Sequence, residues 1–286
     1  MRQAVLKLSR WVCESRNTCP LRKFKEICGD MKNEPKIVSY HPVREGIREC
    51  YIRHVMLCWD EWKTISSRYL PSIHRILEKV LHVDIDLNLL RELCGIAVLH
   101  HDVGKLCLDY QSRNGKRFYR HEMLSSYLLH DYIMSMLSDA SSLDDQRAEL
   151  LSSIISSAIY LHHEGLQISH KYYEIRAPTY GYLLNLLAGR EFHMIKGWRL
   201  ISTELERWAF NKKFNYFGDV TSINGYEAAN LLGSIITLID GSFDPLLLRL
   251  AVASILQPIM ISDNLASLRR GGSPSRLSKF LGVMER

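Results

Sequence analysis

Several things are missing from this 286-residue sequence, and each absence narrows what it can be. No stretch stays apolar for the roughly 18 residues that a membrane span requires. The opening residues, MRQAVLKLSRWVCESR, lack the apolar block of a secretory signal. A soluble, cytoplasmic protein with no membrane association is expected. None of the seven cysteines forms a CxxC pair, which disfavours a structural zinc site or a disulfide framework. Cys50, Cys58, Cys94 and Cys107 have apolar neighbours and read as reduced core residues, and Cys13, Cys19 and Cys28 as free thiols. There is no GxxxxGK[ST] phosphate loop, no internal repeat, and no long strand-like alternation.

What is present is helical. Hydrophobic residues make up 47% of the chain, enough for a sizeable core. From Arg44 the residues Ile47, Tyr51, Val55, Cys58 and Trp62 recur at helical spacing. LNLLRELCGIAVLHH, RHEMLSSYLLHDYIMSML and AELLSSIISSAIYLHH predict further helices, the last stopped by Gly165. Another opens at Asp244-Pro245, where the aspartate caps and the proline takes the first turn. Pro258 is expected to kink it shortly before Ser262-Asp263-Asn264. Between Ser169 and Asn224 lies an aromatic and basic segment of weaker periodicity, read as an elaboration of one helical core.

The net charge is +6. It sits at the ends: residues 1–30 hold seven Lys/Arg against three Asp/Glu, and 264–286 hold five against one. The interior is slightly acidic, so overall charge is weak evidence for a nucleic-acid groove. Residues 1–30 read as a basic appendage or an overcalled start, 31–268 as the domain, and 269–286 as a flexible basic tail.

Polar chemistry accumulates at the ends of the apolar helices. His54 shares a helix face with Ile47, Tyr51 and Cys58 and, alone, reads as a hydrogen-bonded core histidine. His101-Asp102 closes a helix, and Gly104 is expected to let the backbone turn away. Lys105 follows, able to hold a phosphate oxygen by charge. His121 opens one helix, His162-His163 closes another, and Asp263 lies in the apolar run PIMISDNLASL, where an ionised carboxylate needs a partner. Histidines and carboxylates together are a ligand set for divalent transition metals. The remaining histidines, His41, His74, His82, His100, His130, His170 and His193, match no ligand spacing, although His100 stands next to a candidate.

In this order the residues resemble the HD superfamily of metal-dependent phosphohydrolases. HHDVGK, YRHEMLSS, AIYLHHEG and SDNLAS narrow the resemblance to the HD nuclease of type I CRISPR interference systems, over roughly residues 37–268. The resemblance implies an all-α HD-domain helical bundle. It implies two divalent metal ions (Mn, Ni, Co, Fe or Mg), one held by His54, His101, Asp102 and Asp263 and one by Asp102, His121, His162 and His163. Asp102 would bridge them, with Asp102 and Lys105 serving catalysis. The implied reaction is cleavage of single-stranded DNA, the strand displaced by a crRNA-guided effector complex. With no phosphate loop, the chain would be the stand-alone form, needing a separate helicase. Tyr172, Tyr173, Trp208, Lys212, Lys213 and Phe214 are candidate strand contacts through stacking and charge. Alternatives from other classes are an HD phosphohydrolase acting on a small nucleotide and an inactive HD scaffold.

Overall fold

In the computed structural model the described residues are 11–12, 19–24, 37–40, 48–112, 120–140, 143–163, 180–214, 216–240 and 244–269. Among them are nine α-helices and five strands of two or three residues: β1 (Trp11–Val12), β2 (Val38–Tyr40), β3 (Arg48–Cys50), α1 (Tyr51–Leu81), α2 (Leu87–His100), α3 (Leu108–Gln111), α4 (His121–Ala140), α5 (Asp145–Leu161), α6 (Tyr180–Leu187), β4 (Glu191–His193), α7 (Trp198–Phe210), β5 (Ser222–Asn224), α8 (Gly225–Asp240) and α9 (Pro245–Arg269). A 3-10 turn, Val103–Leu106, separates α2 from α3. The fold is the all-α bundle that the periodicities predict.

The first long helix starts later than its apolar spacing suggests. Residues 48–50 are a strand pairing with β1 and β2, and the helix begins at Tyr51. Of residues 1–30, the described ones supply β1 and bury Cys19 and Leu21 in the core. The expected tail, 269–286, lies outside the described residues except for Arg269.

Caps fall where short polar side chains precede apolar runs. Asp86 accepts from the amides of Asn88 and Leu89 at the start of α2, and Asp144 from Arg147 at the start of α5. Asp244 accepts from Leu247, with Pro245 in the first turn of α9, as expected. The kink expected at Pro258 does not interrupt α9, which is helical from 245 to 269. One missing ladder bond does not stop a helix whose flanks are buried.

α1 and α9 pack along each other, α9 also meets α5, and α2 lies on α1. Of the described helices, α9 alone has the length and apolarity of a membrane span, which the sequence reading did not anticipate. Here Ala251, Val252, Ile255 and Ile259 join the core formed with Val55, Trp62, Leu93 and Ile96. Each buried valine, leucine or isoleucine there contributes about 1.5–3 kcal/mol. α4 and α5 form a close hairpin lined with buried serines: Ser126 Oγ donates to Ser156 O at 2.8 Å and Ser152 Oγ to His130 O at 2.8 Å. The pairs 126/156 and 130/152 show that the helices run antiparallel, so the start of α4 lies beside the end of α5.

The described part of the 169–224 elaboration docks on the turn after Lys105. Ile195 N donates to Leu106 O at 2.9 Å, and β4 pairs with β5 beyond it.

Candidate metal centre

Six elements converge on Asp102. α1 supplies His54, the end of α2 supplies His101, and the turn beyond holds Asp102 and Lys105. His121 begins α4, His162 and His163 follow α5, and Asp263 comes from α9. Asp102 Oδ2 lies 3.4 Å from His54 Nε2 and 3.6 Å from His101 Nε2. Its other oxygen, Oδ1, lies 2.9 Å from His121 Nε2 and 3.6 Å from His162 Nε2. Asp263 Oδ1 stands 3.1 Å from His54 Nε2 and 4.0 Å from His101 Nε2, and His163 Nε2 stands 2.9 Å from His121 Nε2. Most of these separations match the edges of a coordination polyhedron built on bonds of about 2.1 Å.

The unpaired atoms point to the same place. His101 Nδ1 donates to Val98 O at 2.8 Å and His162 Nδ1 to Ile159 O at 2.5 Å, which leaves each Nε2 with a lone pair. Those two Nε2 atoms and Asp102 Oδ1 are buried without a well-aligned hydrogen bond. Buried polar atoms are rarely left so. A divalent cation is what this donor set fits, and the backbone and carboxylate partners behind the ligands fix their rings as metal sites require. His54 Nδ1 faces Glu49 Oε2 at 3.3 Å, and His121 Nδ1 faces Glu122 Oε2 at 3.6 Å.

Electrostatics divides the histidines. Burial pushes His101 down to about 4, so it is neutral at physiological pH. His163 is held well below the usual imidazole value by burial and by His162 and His121, and His121 is lowered by burial and Lys105. His54 goes the other way: burial opposes its charge, but the Cys58 sulfur and the Asp102 and Asp263 carboxylates outweigh burial and raise it well above that value. Asp102 is held well below the carboxylate range: burial disfavours its charge, but Lys105, His101 and His121 overcome that. Lys105 is buried and ion-paired with Asp102 Oδ2.

Two positions beside the ligands gain a physical cause. Gly104 lies in the turn that follows Asp102 and has no left-handed backbone. It is glycine because a Cβ would stand 2.2 Å from His121 O and 3.0 Å from Ser125 N. Its amide donates to Ser125 Oγ at 2.9 Å, which ties the Asp102 turn to the first turns of α4. His100 faces away: its Nε2 lies 3.1 Å from Glu206 Oε1, which also accepts from Tyr132 Oη at 2.9 Å. Successive helical residues point about 100° apart, so neighbours in sequence serve different clusters.

The seven predicted ligands come together; the described ones among the predicted strand contacts do not join them. Lys212 pairs with Glu92 at 2.6 Å and lies over the Phe214 ring, while Phe214 packs on Phe210 and its amide donates to Glu206. Trp208 packs against the core and lines a cleft of about 510 Å³ with Arg22, Lys23 and Arg207. Lys213 is exposed. Tyr172, Tyr173 and Gly165 lie outside the described residues. Sequence reasoning missed Glu49, Tyr51 and Cys58. Tyr51 Oη is buried without a hydrogen-bond partner. The shared face of His54 and Cys58 was the available signal for the cysteine. A second, more exposed group, His74 with Glu78 at 3.3 Å and Asp84 at 3.2 Å, also escaped notice at the end of α1.

Two curated relatives are both named CRISPR-associated endonuclease Cas3-HD. The protein from Methanocaldococcus jannaschii is 29% identical over 118 residues, 40% of this chain and 44% of its own length. The protein from Pyrococcus furiosus is 21% identical over 238 residues, 80% of this chain and 93% of its own. The match thus spans under half of the first relative and nearly all of the second. Among solved structures, the CRISPR-associated Cas3 HD domain protein of M. jannaschii superposes with a TM-score of 0.52 at 21% identity, covering 72% of this chain and 92% of that one. No family model matches. The HD fold is borne out, and these relatives support the resemblance to the stand-alone CRISPR-associated HD nucleases.

Proposed function

We propose that this chain is a stand-alone CRISPR-associated HD nuclease. In this reading it hydrolyses phosphodiester bonds of single-stranded DNA in the cytoplasm, beside a separate helicase subunit and a crRNA-guided effector complex. The observation that carries the proposal is Asp102, whose two oxygens face two different sets of histidines. That arrangement suits a carboxylate bridging two divalent ions. His54, His101 and Asp263 would complete one set, and His121, His162 and His163 the other. The imidazole-rich donors favour manganese, nickel, cobalt or iron over magnesium, which prefers oxygen.

When bound, such ions acidify a water and neutralise charge on a phosphate. The chain's own residues prepare for that. His101 and His162 hold their lone pairs inward by donating Nδ1–H to the backbone. Glu49 and Glu122 orient His54 and His121 from behind. Lys105, balanced by Asp102 in the metal-free protein, is the cation that would meet a phosphate oxygen. An inactive scaffold would be expected to have lost ligands, and all seven predicted positions carry ligating residues.

The test is a metal panel against single-stranded and duplex DNA with Asp102→Ala as control. Cleavage of the single strand should require an added divalent ion and fall more than about 1,000-fold in the variant, the scale of the several kcal/mol that a metal supplies to a charged transition state. Wild-type rates from a folded Asp102→Ala protein would overturn the assignment. Alanine at Lys212 and Lys213 should lower DNA affinity and flatten its salt dependence if those side chains meet the strand.

A further inference from the structure

We infer that Cys58 is an additional ligand of the first metal position, so that the two cation sets differ in softness. The inference rests on the metal centre of the proposed function and concerns this chain's own thiol. Cys58 lies one helical turn after His54 on the same face of α1, and its side chain is fully buried. Its sulfur is 3.6 Å from His54 Nε2, the atom that also faces Asp102 and Asp263. Ligand atoms of His54, Cys58, His101 and Asp263 all lie within 4.8 Å of one another. The cysteine does not stand alone there, because His101 Nε2 is buried and unpartnered in the same group.

A cysteine with only a packing role would rest on apolar neighbours, as Cys94 does on α2, where burial alone pushes its thiol up to about 12. Cys58 instead faces ligating atoms. On coordination its S–H bond would break as the sulfur–metal bond forms, and the proton would leave to solvent. Thiolate sulfur selects borderline and soft ions such as zinc, cobalt or iron. The second set, Asp102, His121, His162 and His163, contains only nitrogen and oxygen. The two positions should therefore prefer unlike cations, with the sulfur-containing one retaining the softer ion.

The test reads the metal's surroundings rather than the chain's activity. Chelator-stripped full-length protein is titrated with Co2+ and followed by absorption. A sulfur-to-cobalt charge-transfer band in the near ultraviolet is expected, lost in Cys58→Ser and kept in Cys94→Ser. The preference of the first position for Cd2+ over Mn2+ should fall about ten-fold or more in Cys58→Ser. If that variant does not fold, X-ray absorption of the zinc-loaded wild-type protein decides, with one sulfur expected at about 2.3 Å. A band that survives Cys58→Ser, or a zinc shell without sulfur, overturns the inference. A protein that shows the band yet cuts no DNA refutes the proposed function and leaves the ligand standing. One that cuts DNA without sulfur at the metal refutes the ligand alone.

Discussion

His54 and His101 contribute to one ligand set from opposite protonation states. His101, held at about 4, is ready to bind a cation at neutral pH. His54, held well above the usual imidazole range, carries a proton in the metal-free protein, and a cation must expel it. Metal affinity should therefore rise with pH through the range in which His54 is still protonated. Calorimetric titrations in buffers of different ionisation enthalpy should show net proton release; affinity independent of pH from 6 to 8 would contradict this reading. The ligands themselves were largely legible in the sequence, because a histidine or aspartate ending an apolar helix has few bland explanations. Asp263 illustrates this, since its neighbours in PIMISDNLASL leave a carboxylate no solvent. Cys58 was not recognised, because a cysteine on a core face looks the same whether it packs or ligates. Glu49 was hidden for another reason: it lies in a strand that the helical spacing across residues 44–62 obscured.

At the scale of elements, position comes from contacts between turns and helices. Gly104 lets the Asp102 turn rest on the start of α4. Gly104→Ala should cost about 1–3 kcal/mol through overpacking and weaken binding at the His121 set more than at the His54 set. Urea denaturation and metal titration of the same variant would check both effects. The sequence pointed to a glycine here as a place for the chain to turn, and the packed structure adds the carbonyl of His121 beside it. α7 is held differently. Glu206 accepts from Tyr132 Oη and Phe214 N and meets His100. Burial disfavours its charge, yet His100, the Phe214 amide and Tyr132 draw its pKa below the usual carboxylate value. A lowered folded value means that the stabilisation is present above the unfolded pKa and fades as pH falls through the folded one. Glu206→Ala should lose at least about 3 kcal/mol at pH 7, with the gap from wild type narrowing in acid. Urea midpoints between pH 7 and 3 measure it.

For the whole molecule, six elements contribute to one centre, so metal occupancy should report on global stability. A cation at 100 times its Kd adds about 2.7 kcal/mol, roughly 4–5 °C in Tm for a chain of this size. Thermal unfolding should show that rise with Mn2+, its reversal by chelator, and little of it in Asp102→Ala. The helical architecture was readable from spacing, whereas the packing of α1 along α9 was not, because periodicity tells which face is buried and never against what. That packing has a consequence in time. His54 and Asp263 are 209 residues apart, and they meet only when the last described helix lies along the first long one. At about 5–20 residues per second of synthesis, the nascent chain carries His54 for some tens of seconds before its partner carboxylate exists. A half-made or prematurely terminated chain lacks a ligand of its first metal position, so cutting would wait until the polypeptide has been made through α9.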